Sequence, residues 1–304
     1  MTVRRSTLST PASDRQMIEK ASESDADTVA LDLEDAIVPA KKEAARKNVI
    51  WAAREFDWSD KIFSFRANGL DTPWFYRDFI TIIEEVGREI DTIVLPKAKS
   101  AADVHAFEQL VSSIEENAGL EDAIGFEILI EETEAAQNVD EIAAASDRTE
   151  TLIFGPGDYS ASIGVDHSDT RRDQSDDVGG LDEWYYIRKR IIIAARSNDI
   201  EAIDGAYTDF GDTDGYRDLC LRLAKMGYTG KWAIHPVQIE IANDVFAPSN
   251  EDLEHARTVL DSLDRAEKEG RGAVDMGDGM LIDVAHRRHA KRTLEIAREI
   301  GMID

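Results

Sequence analysis

Carboxylates, an arginine and a lysine fall at the ends of short apolar runs along this chain. Glu131 closes the run Ala123–Ile130, and Asp158 follows Leu152–Phe154 across Gly155-Pro156-Gly157. If those runs are successive strands, the two carboxylates stand side by side at strand ends. They also flank a glycine turn in which Gly157 lets a ligand approach the backbone closely. Two carboxylates are the minimal protein contribution to a Mg²⁺ site that leaves positions for substrate oxygens and water. Thr28–Leu33 runs into Asp32-Leu33-Glu34-Asp35, three carboxylates in four residues. Such crowding of like charge implies a nearby cation, or hydrogen-bond donors that the acids orient; otherwise they decorate an exposed loop. Lys61–Phe65 delivers Arg66, a planar fork for a carboxylate. Open to it are a substrate carboxylate, the DLED acids, or both. Thr92–Leu95 delivers Lys97 behind Pro96, a second cation. Glu127 and Glu131, an even number apart, face the same way along a straight strand.

For these residues to meet, the strand ends must converge. Apolar runs ending in STPA, DLED, FRAN, LPK, LIEE, GPGD, IDG and IHP alternate with helix-like stretches. That count fits a closed TIM (β/α)8 barrel, in which all strand C-termini share one mouth. Helices are expected over Arg15–Ser22, with Asp14 as N-cap, and from Pro39 to about Phe56. Others are expected over Trp74–Ile90, Ala101–Asn117, Asp140–Ala145, Trp184–Asn198 and Thr213–Met226. Gly155-Pro156-Gly157 reads as a tight turn, and the polar stretch Asp166–Gly180 as a mobile loop at the mouth. Residues 1–248 are thus assigned to the barrel and 249–304 to a C-terminal extension. The extension holds a helix over Asn250–Glu269, a glycine-rich break over Gly270–Gly279 and a helix over Ala285–Ile300. An arm of this kind packs on a neighbouring subunit and acts as a lid, so a homo-oligomer is expected. His286 and His289 read as surface residues on the last helix.

The 304 residues carry 62 acidic and 35 basic side chains, a net charge of −27. That field repels nucleic acid and anionic membrane, which excludes both as expected partners. It also reads as adaptation to a salty cytoplasm, because self-repulsion of this size needs screening. No apolar run is long enough to span a bilayer, no secretory signal is evident at the N-terminus, and the single Cys220 allows no internal disulfide. A cytoplasmic enzyme is the expectation.

The stretches RRSTLSTPA, VALDLEDAI, FRANG, IVLPK, ILIEETEAAQNVDEIA, LIFGPGDYSASIG, the DVGG loop, GKWAIHPVQIEIANDVF and GMLID carry a resemblance. The chain resembles the citrate lyase β-subunit-like (HpcH/HpaI aldolase) superfamily, and within it the malyl-CoA and β-methylmalyl-CoA lyases, over nearly its whole length. The resemblance implies a Mg²⁺-dependent lyase (Mn²⁺ also serving) that reversibly cleaves L-malyl-CoA or β-methylmalyl-CoA to glyoxylate and acetyl-CoA or propionyl-CoA. It puts the metal on Glu131 and Asp158, with Glu132 as the competing ligand in Glu131-Glu132-Thr133. Arg66 falls on the arginine that grips the oxo-acid carboxylate, and Lys20 on a CoA contact, with Arg15 or Arg5 completing it. Ile234 and His235 fall on the substrate-lining pair, and Lys97 contacts an anion. Asp283 falls on an acid–base carboxylate supplied to a neighbouring subunit's mouth in a homotrimer or homohexamer. Other readings on the same scaffold are a malyl-CoA thioesterase or malate-synthase-like hydrolase, a citramalyl-CoA lyase, and a non-catalytic acyl-CoA-binding subunit.

Overall fold

A computed structural model of the chain describes residues 3–165, 183–277, 279 and 281–303. Eight parallel strands close into a barrel in sequence order. They are β1 (Ser6–Pro11), β2 (Thr28–Asp32), β3 (Ile62–Arg66), β4 (Thr92–Leu95), β5 (Gly125–Ile130), β6 (Thr149–Phe154), β7 (Glu201–Asp204) and β8 (Gly230–Ala233). The barrel expected from the alternating runs is therefore present.

Its interior is layered. Ala30, Val94, Leu129, Ile153, Ile203 and Trp232, drawn from six strands, pack together as the apolar middle layer. Alternate residues such as Val29, Leu31, Phe63, Phe65, Phe126 and Ile128 are fully buried between strands and helices. Side chains alternate along a strand, so moving two residues towards the C-terminal ends brings Asp32, Glu131, Gly155, Gly205 and Ile234 above that layer. Asp32 pairs in register with Arg66 on β3, which joins the same upper layer. Two residues the other way lies Glu127, where Thr92 Oγ1 donates to it at 2.7 Å and Arg4 Nε is 3.6 Å away. Glu127 and Glu131 face the same way, as expected, but the apolar layer separates them over about 13 Å of strand.

The helices Arg15–Ser22 and Thr213–Met226 have the expected bounds. Asp14 caps the first by accepting from the Gln16 and Met17 N–H groups. Gly155-Pro156-Gly157 is not a tight turn. Gly155 is the N-cap and Pro156 the first residue of a short helix, Pro156–Ser162, because proline's fixed φ suits a first helical position. A further helix the sequence reading passed over, Pro236–Val245, follows β8 directly. The stretch read as a mouth loop, Asp166–Gly180 with its DVGG, lies outside the described residues.

The chain divides into two compact units, residues 4–243 and residues 244–304 with 1–3. In the second, the helix Asn250–Lys268 begins with a capping box between Ser249 and Asp252. A two-stranded antiparallel ribbon pairs Val274–Asp275 with Leu281–Ile282, and a helix over Val284–Glu299 follows. Leu253, Ala256, Val259, Leu263, Ile282, Ala290, Leu294 and Ala297 form its core. No helix among the described residues is long and apolar enough to cross a membrane.

Candidate active site

Strand register brings the first pair together. Arg66 Nε donates to Asp32 Oδ1 at 2.7 Å and Arg66 Nη2 to Asp32 Oδ2 at 2.8 Å, a bidentate pair at the mouth. Arg66 Nη1 lies 3.1 Å from Glu34 Oε2, yet that buried oxygen makes no hydrogen bond. Of the five N–H groups of a guanidinium, two are committed to Asp32. Burial alone would raise the Asp32 pKa, but the charge and hydrogen bonds of Arg66, with the Glu34 and Ala36 N–H groups, hold it below its usual range. Burial likewise works against the Arg66 charge, and Asp32 and Glu34 outweigh it, so Arg66 stays cationic. The arginine also sits 5.7 Å from the Trp232 ring centroid, a cation–π arrangement on the layer below.

Lys97 ties this pair to Glu131. Its Nζ lies 2.7 Å from Glu34 Oε1 and 3.4 Å from Asp35 Oδ1, while its main-chain N–H donates to Glu131 Oε1 at 2.9 Å. Lys97 adopts φ 54°, a left-handed conformation costing a non-glycine residue on the order of 1–3 kcal/mol. That conformation turns the N–H towards Glu131. Burial would lower the Lys97 pKa, but the Glu34 hydrogen bond and charge raise it instead. The amine is therefore a paired ammonium ion.

Glu131 is 1% exposed. Burial, then the neighbouring charges of Glu34 and Asp158, push its pKa up to about 8 despite Arg66. Burial raises Glu34 as well, beyond what Arg66 and Lys97 offset. Gly155 faces Glu131 so closely that an added Cβ would meet Glu131 Cβ at 2.6 Å and Oε2 at 2.9 Å, so only glycine leaves this carboxylate its place. Asp158 stands two residues beyond Pro156 in the short helix, half-buried. Carboxylates at Asp32, Glu34, Asp35, Glu131 and Asp158 thus outnumber the cations Arg66 and Lys97. Excess negative charge and a proton-retaining Glu131 fit a divalent cation, for which oxygen ligands are the chemical match. Among the described residues no cluster of three or more such side chains is preformed for a metal, so Glu131 and Asp158 would leave most coordination positions to substrate and water. Glu132 occupies the N-cap position of the helix Thr133–Gln137, and its side chain accepts from Ser162 Oγ at 3.2 Å. Glu131, not Glu132, is joined to the mouth cluster.

The remaining candidates scatter. Arg5 is a correction. It precedes β1, and its guanidinium pairs with Asp27 at 2.7 Å, with Nε at 2.8 Å, just before β2. This is the barrel end opposite the mouth. Arg15 is exposed at the start of its helix on the mouth side, donating to Asn48 Oδ1 at 2.9 Å and lying 4.5 Å over Trp51. Lys20 is exposed in the last turn of that helix. Gly157 is exposed, and a Cβ there would meet nothing within 4 Å; the chain itself does not require that glycine. Ile234 is half-buried above Trp232, its N–H donating to Gln238 Oε1 at 2.8 Å. His235 is exposed and stacks on Phe210 at 4.8 Å.

Asp283, in the second unit, N-caps the helix Val284–Glu299, with Ala285 N–H donating to Oδ1 at 2.9 Å. His286 is exposed, as expected, and its Nδ1 lies 2.9 Å from Asp283 Oδ1 and 3.1 Å from Asp283 N, so that one ring nitrogen either donates to the carboxylate or accepts from the N–H, according to its tautomer. The His286 hydrogen bond, then the Ala285 N–H, lower the Asp283 pKa. The Asp283 side chain remains 56% exposed.

Sequence reasoning missed the layer behind the mouth. Lys42, Asn68, Asp78 and Arg46 form a buried hydrogen-bonded network. Gln238 Nε2 donates to Tyr207 O at 2.9 Å and pins the loop after β7 to the end of β8. Asn68 carried a signal, standing in the strand-end motif FRANG; the others lie inside helices.

A profile of the HpcH/HpaI aldolase/citrate lyase family matches residues 5–236. The chain is 39% identical over 306 residues to the L-malyl-CoA/beta-methylmalyl-CoA lyase of Rhodobacter capsulatus, covering 95% of this chain and 93% of that one. It is 33% identical over 297 residues to the (3S)-malyl-CoA thioesterase of Cereibacter sphaeroides, covering 98% and 95% respectively. The solved structure of CitE from Mycobacterium tuberculosis, in complex with magnesium, acetoacetate and coenzyme A, matches with a TM-score of 0.76 and 29% identity, covering 98% of each chain. With a matching profile across the barrel and relatives aligned over almost its full length, the chain belongs to the HpcH/HpaI aldolase/citrate lyase family.

Proposed function

We propose that this protein is a Mg²⁺-dependent carbon–carbon lyase that reversibly cleaves L-malyl-CoA or β-methylmalyl-CoA to glyoxylate and acetyl-CoA or propionyl-CoA. The observation that carries this reading is the mouth cluster in which Asp32 orients Arg66 while Glu131, held by the Lys97 N–H, faces Gly155 beside Asp158. Malyl-CoA/β-methylmalyl-CoA lyase relatives at 37–39% identity support the substrate class.

Bound at Glu131 and Asp158, Mg²⁺ would supply positive charge where negative charge develops on the reacting oxygens. Asp32 holds Arg66 through Nε and one Nη2 hydrogen, which leaves N–H groups to grip the glyoxylate carboxylate end-on. As the C2–C3 bond breaks, the 3-hydroxyl loses its proton to water at the mouth and its oxygen becomes the aldehyde oxygen of glyoxylate, while the electron pair of the broken bond passes to the thioester enolate. Asp283 of a neighbouring subunit returns a proton to the acyl carbon, or removes one in the condensing direction, help typically worth about 10²–10⁴-fold. Lys97, paired with Glu34 and kept protonated, serves as a fixed cation and not as a Schiff-base amine. The barrel's C-terminal extension, residues 249–304, serves as the shared arm of a homotrimer or homohexamer. CoA would run along Arg15 and Lys20, with Gly157, Ile234 and His235 nearer the acyl end.

Offering malyl-, methylmalyl- and citramalyl-CoA with Mg²⁺ and assaying the products tests this. Glyoxylate with acetyl-CoA or propionyl-CoA is expected. Free CoA with malate, the outcome favoured by the likeness to a malyl-CoA thioesterase, overturns it in favour of hydrolysis.

The charge of −27 makes a salty cytoplasm the proposed setting. Melting temperature and activity are expected to rise with KCl into the molar range, where the Debye length is about 3 Å. A melting temperature flat or falling over that range removes the halophilic reading.

A further inference from the structure

Lys42 opens the helix Lys42–Glu55 and is 5% exposed, although its neighbour Lys41 lies in solvent. An ammonium group has three N–H donors, and this one spends each on a neutral oxygen. Nζ donates to Leu33 O at 2.6 Å, Glu34 O at 2.8 Å and Asn68 Oδ1 at 2.6 Å. Its stem lies beside Trp74, with Nζ 5.1 Å from that ring centroid.

The carbonyls it holds belong to the turn after β2. On the other side of that turn, Asp32 accepts from Glu34 N–H at 2.8 Å and Ala36 N–H at 3.1 Å. The peptide before Glu34 is therefore held through both its C=O and its N–H, and the peptide after it through its C=O. Glu34 in turn places its carboxylate 2.7 Å from Lys97 Nζ and 3.1 Å from Arg66 Nη1. Lys97 then presents its N–H to Glu131. A contiguous line of short contacts runs from the first residue of an outer helix to the buried carboxylate.

We propose that Lys42 is a positioning residue for the metal site: it fixes the turn carrying Glu34, and Glu34 with Lys97 fixes Glu131. The inference rests on reading Glu131 and Asp158 as that site. Removing the ammonium leaves Leu33 O the Asn68 Nδ2 donor at 3.1 Å and Glu34 O the Ile37 N–H at 3.0 Å. The turn would loosen and stay assembled.

The test is Mn²⁺ binding to the full chain by electron paramagnetic resonance, with steady-state kinetics on a malyl-CoA substrate. Lys42→Met is expected to weaken Mn²⁺ binding and lower kcat about tenfold each, the usual scale for outer-sphere partners of a metal ligand. The KM for the thioester should stay within about threefold, because the CoA contacts lie elsewhere. Arg148→Met is the control for stability alone. Arg148 pairs with Glu115 at 2.6 Å beside the start of β6, at the end away from the mouth, and its loss should lower the melting temperature without changing Mn²⁺ affinity. Asn68→Ala removes one of the three Nζ acceptors and should reproduce a smaller part of the Lys42→Met effect; it decides the matter if Lys42→Met does not fold. Unchanged Mn²⁺ affinity in a folded Lys42→Met protein, or an equal change in Arg148→Met, overturns the proposal. Wild-type protein that binds Mn²⁺ but makes no glyoxylate overturns the lyase reading and leaves the Lys42 comparison intact. Wild-type protein that binds no Mn²⁺ overturns both.

Discussion

Glu131→Gln and Asp158→Asn are each expected to lower Mg²⁺-dependent turnover on the order of 10³-fold or more while the barrel stays folded. Both substitutions keep side-chain volume and remove only the charge that would hold the cation, and neither residue contributes to the apolar layer. The pH dependence separates this from a general loss of structure. Burial and the charges of Glu34 and Asp158 raise Glu131 from 4.5 to about 8. Between those values the metal-free folded chain holds a proton that the unfolded chain has released. Its contribution to stability is complete below the unfolded value and is lost as pH rises through the folded one. Mg²⁺ must displace that proton, so the rise in melting temperature on adding Mg²⁺ should be small near about pH 6 and larger near about pH 8. Glu131→Gln should abolish the Mg²⁺ response at both. A wild-type response that is equal at the two pH values, or a Glu131→Gln protein that keeps it, would remove Glu131 from the metal site.

The parts of the site readable in the sequence are those that a strand end announces. Glu131, Lys97, Arg66 and the DLED acids each follow an apolar run, and closing eight such runs brings them to one mouth whatever their separation along the chain. Which acid meets which base depends on register. Asp32 lies opposite Arg66 because β2 and β3 pair at those residues, a fact with no local sequence signal. The question of whether Arg66 binds the DLED acids is answered by that register. The Arg5 misplacement has the same root, since residues before a strand belong to the opposite end of the barrel. Lys42 was unreadable for a different reason. In KKEAARK five of seven residues are charged, and nothing local distinguishes the buried lysine at 42 from the solvated one at 41. Burial there is imposed by carbonyls of a turn nine residues earlier and by Asn68. Gly155 reads in the sequence as part of the tight turn Gly155-Pro156-Gly157. Its function is visible only against Glu131, whose side chain fills the space a Cβ would need.

Activity is expected to return when two inactive variants, Asp158→Asn and Asp283→Asn, are mixed under conditions that let subunits exchange. The reasoning starts from the second unit, where Asp283 is ordered by its own helix and by His286 and yet presents most of its carboxylate to solvent. If it serves a neighbouring mouth, a mixed assembly contains some mouths with an intact metal site from one chain and an intact Asp283 from the other. Random exchange at equal amounts makes about a quarter of the mouths complete in a closed symmetric ring. The choice of substitution follows from the cap. Asp283→Ala would remove the acceptor for Ala285 N–H and cost about 1 kcal/mol of helix stability, confusing a lost proton donor with a loosened arm. Asparagine is as good an N-cap and cannot exchange a proton at its side chain, so Asp283→Asn isolates the chemistry. Each variant alone should stay inactive, and the mixture should recover activity at the rate of subunit exchange measured with labelled chains. Demonstrated exchange with no recovery would mean that Asp283 acts on its own chain or not at all, and the shared-mouth account would be withdrawn.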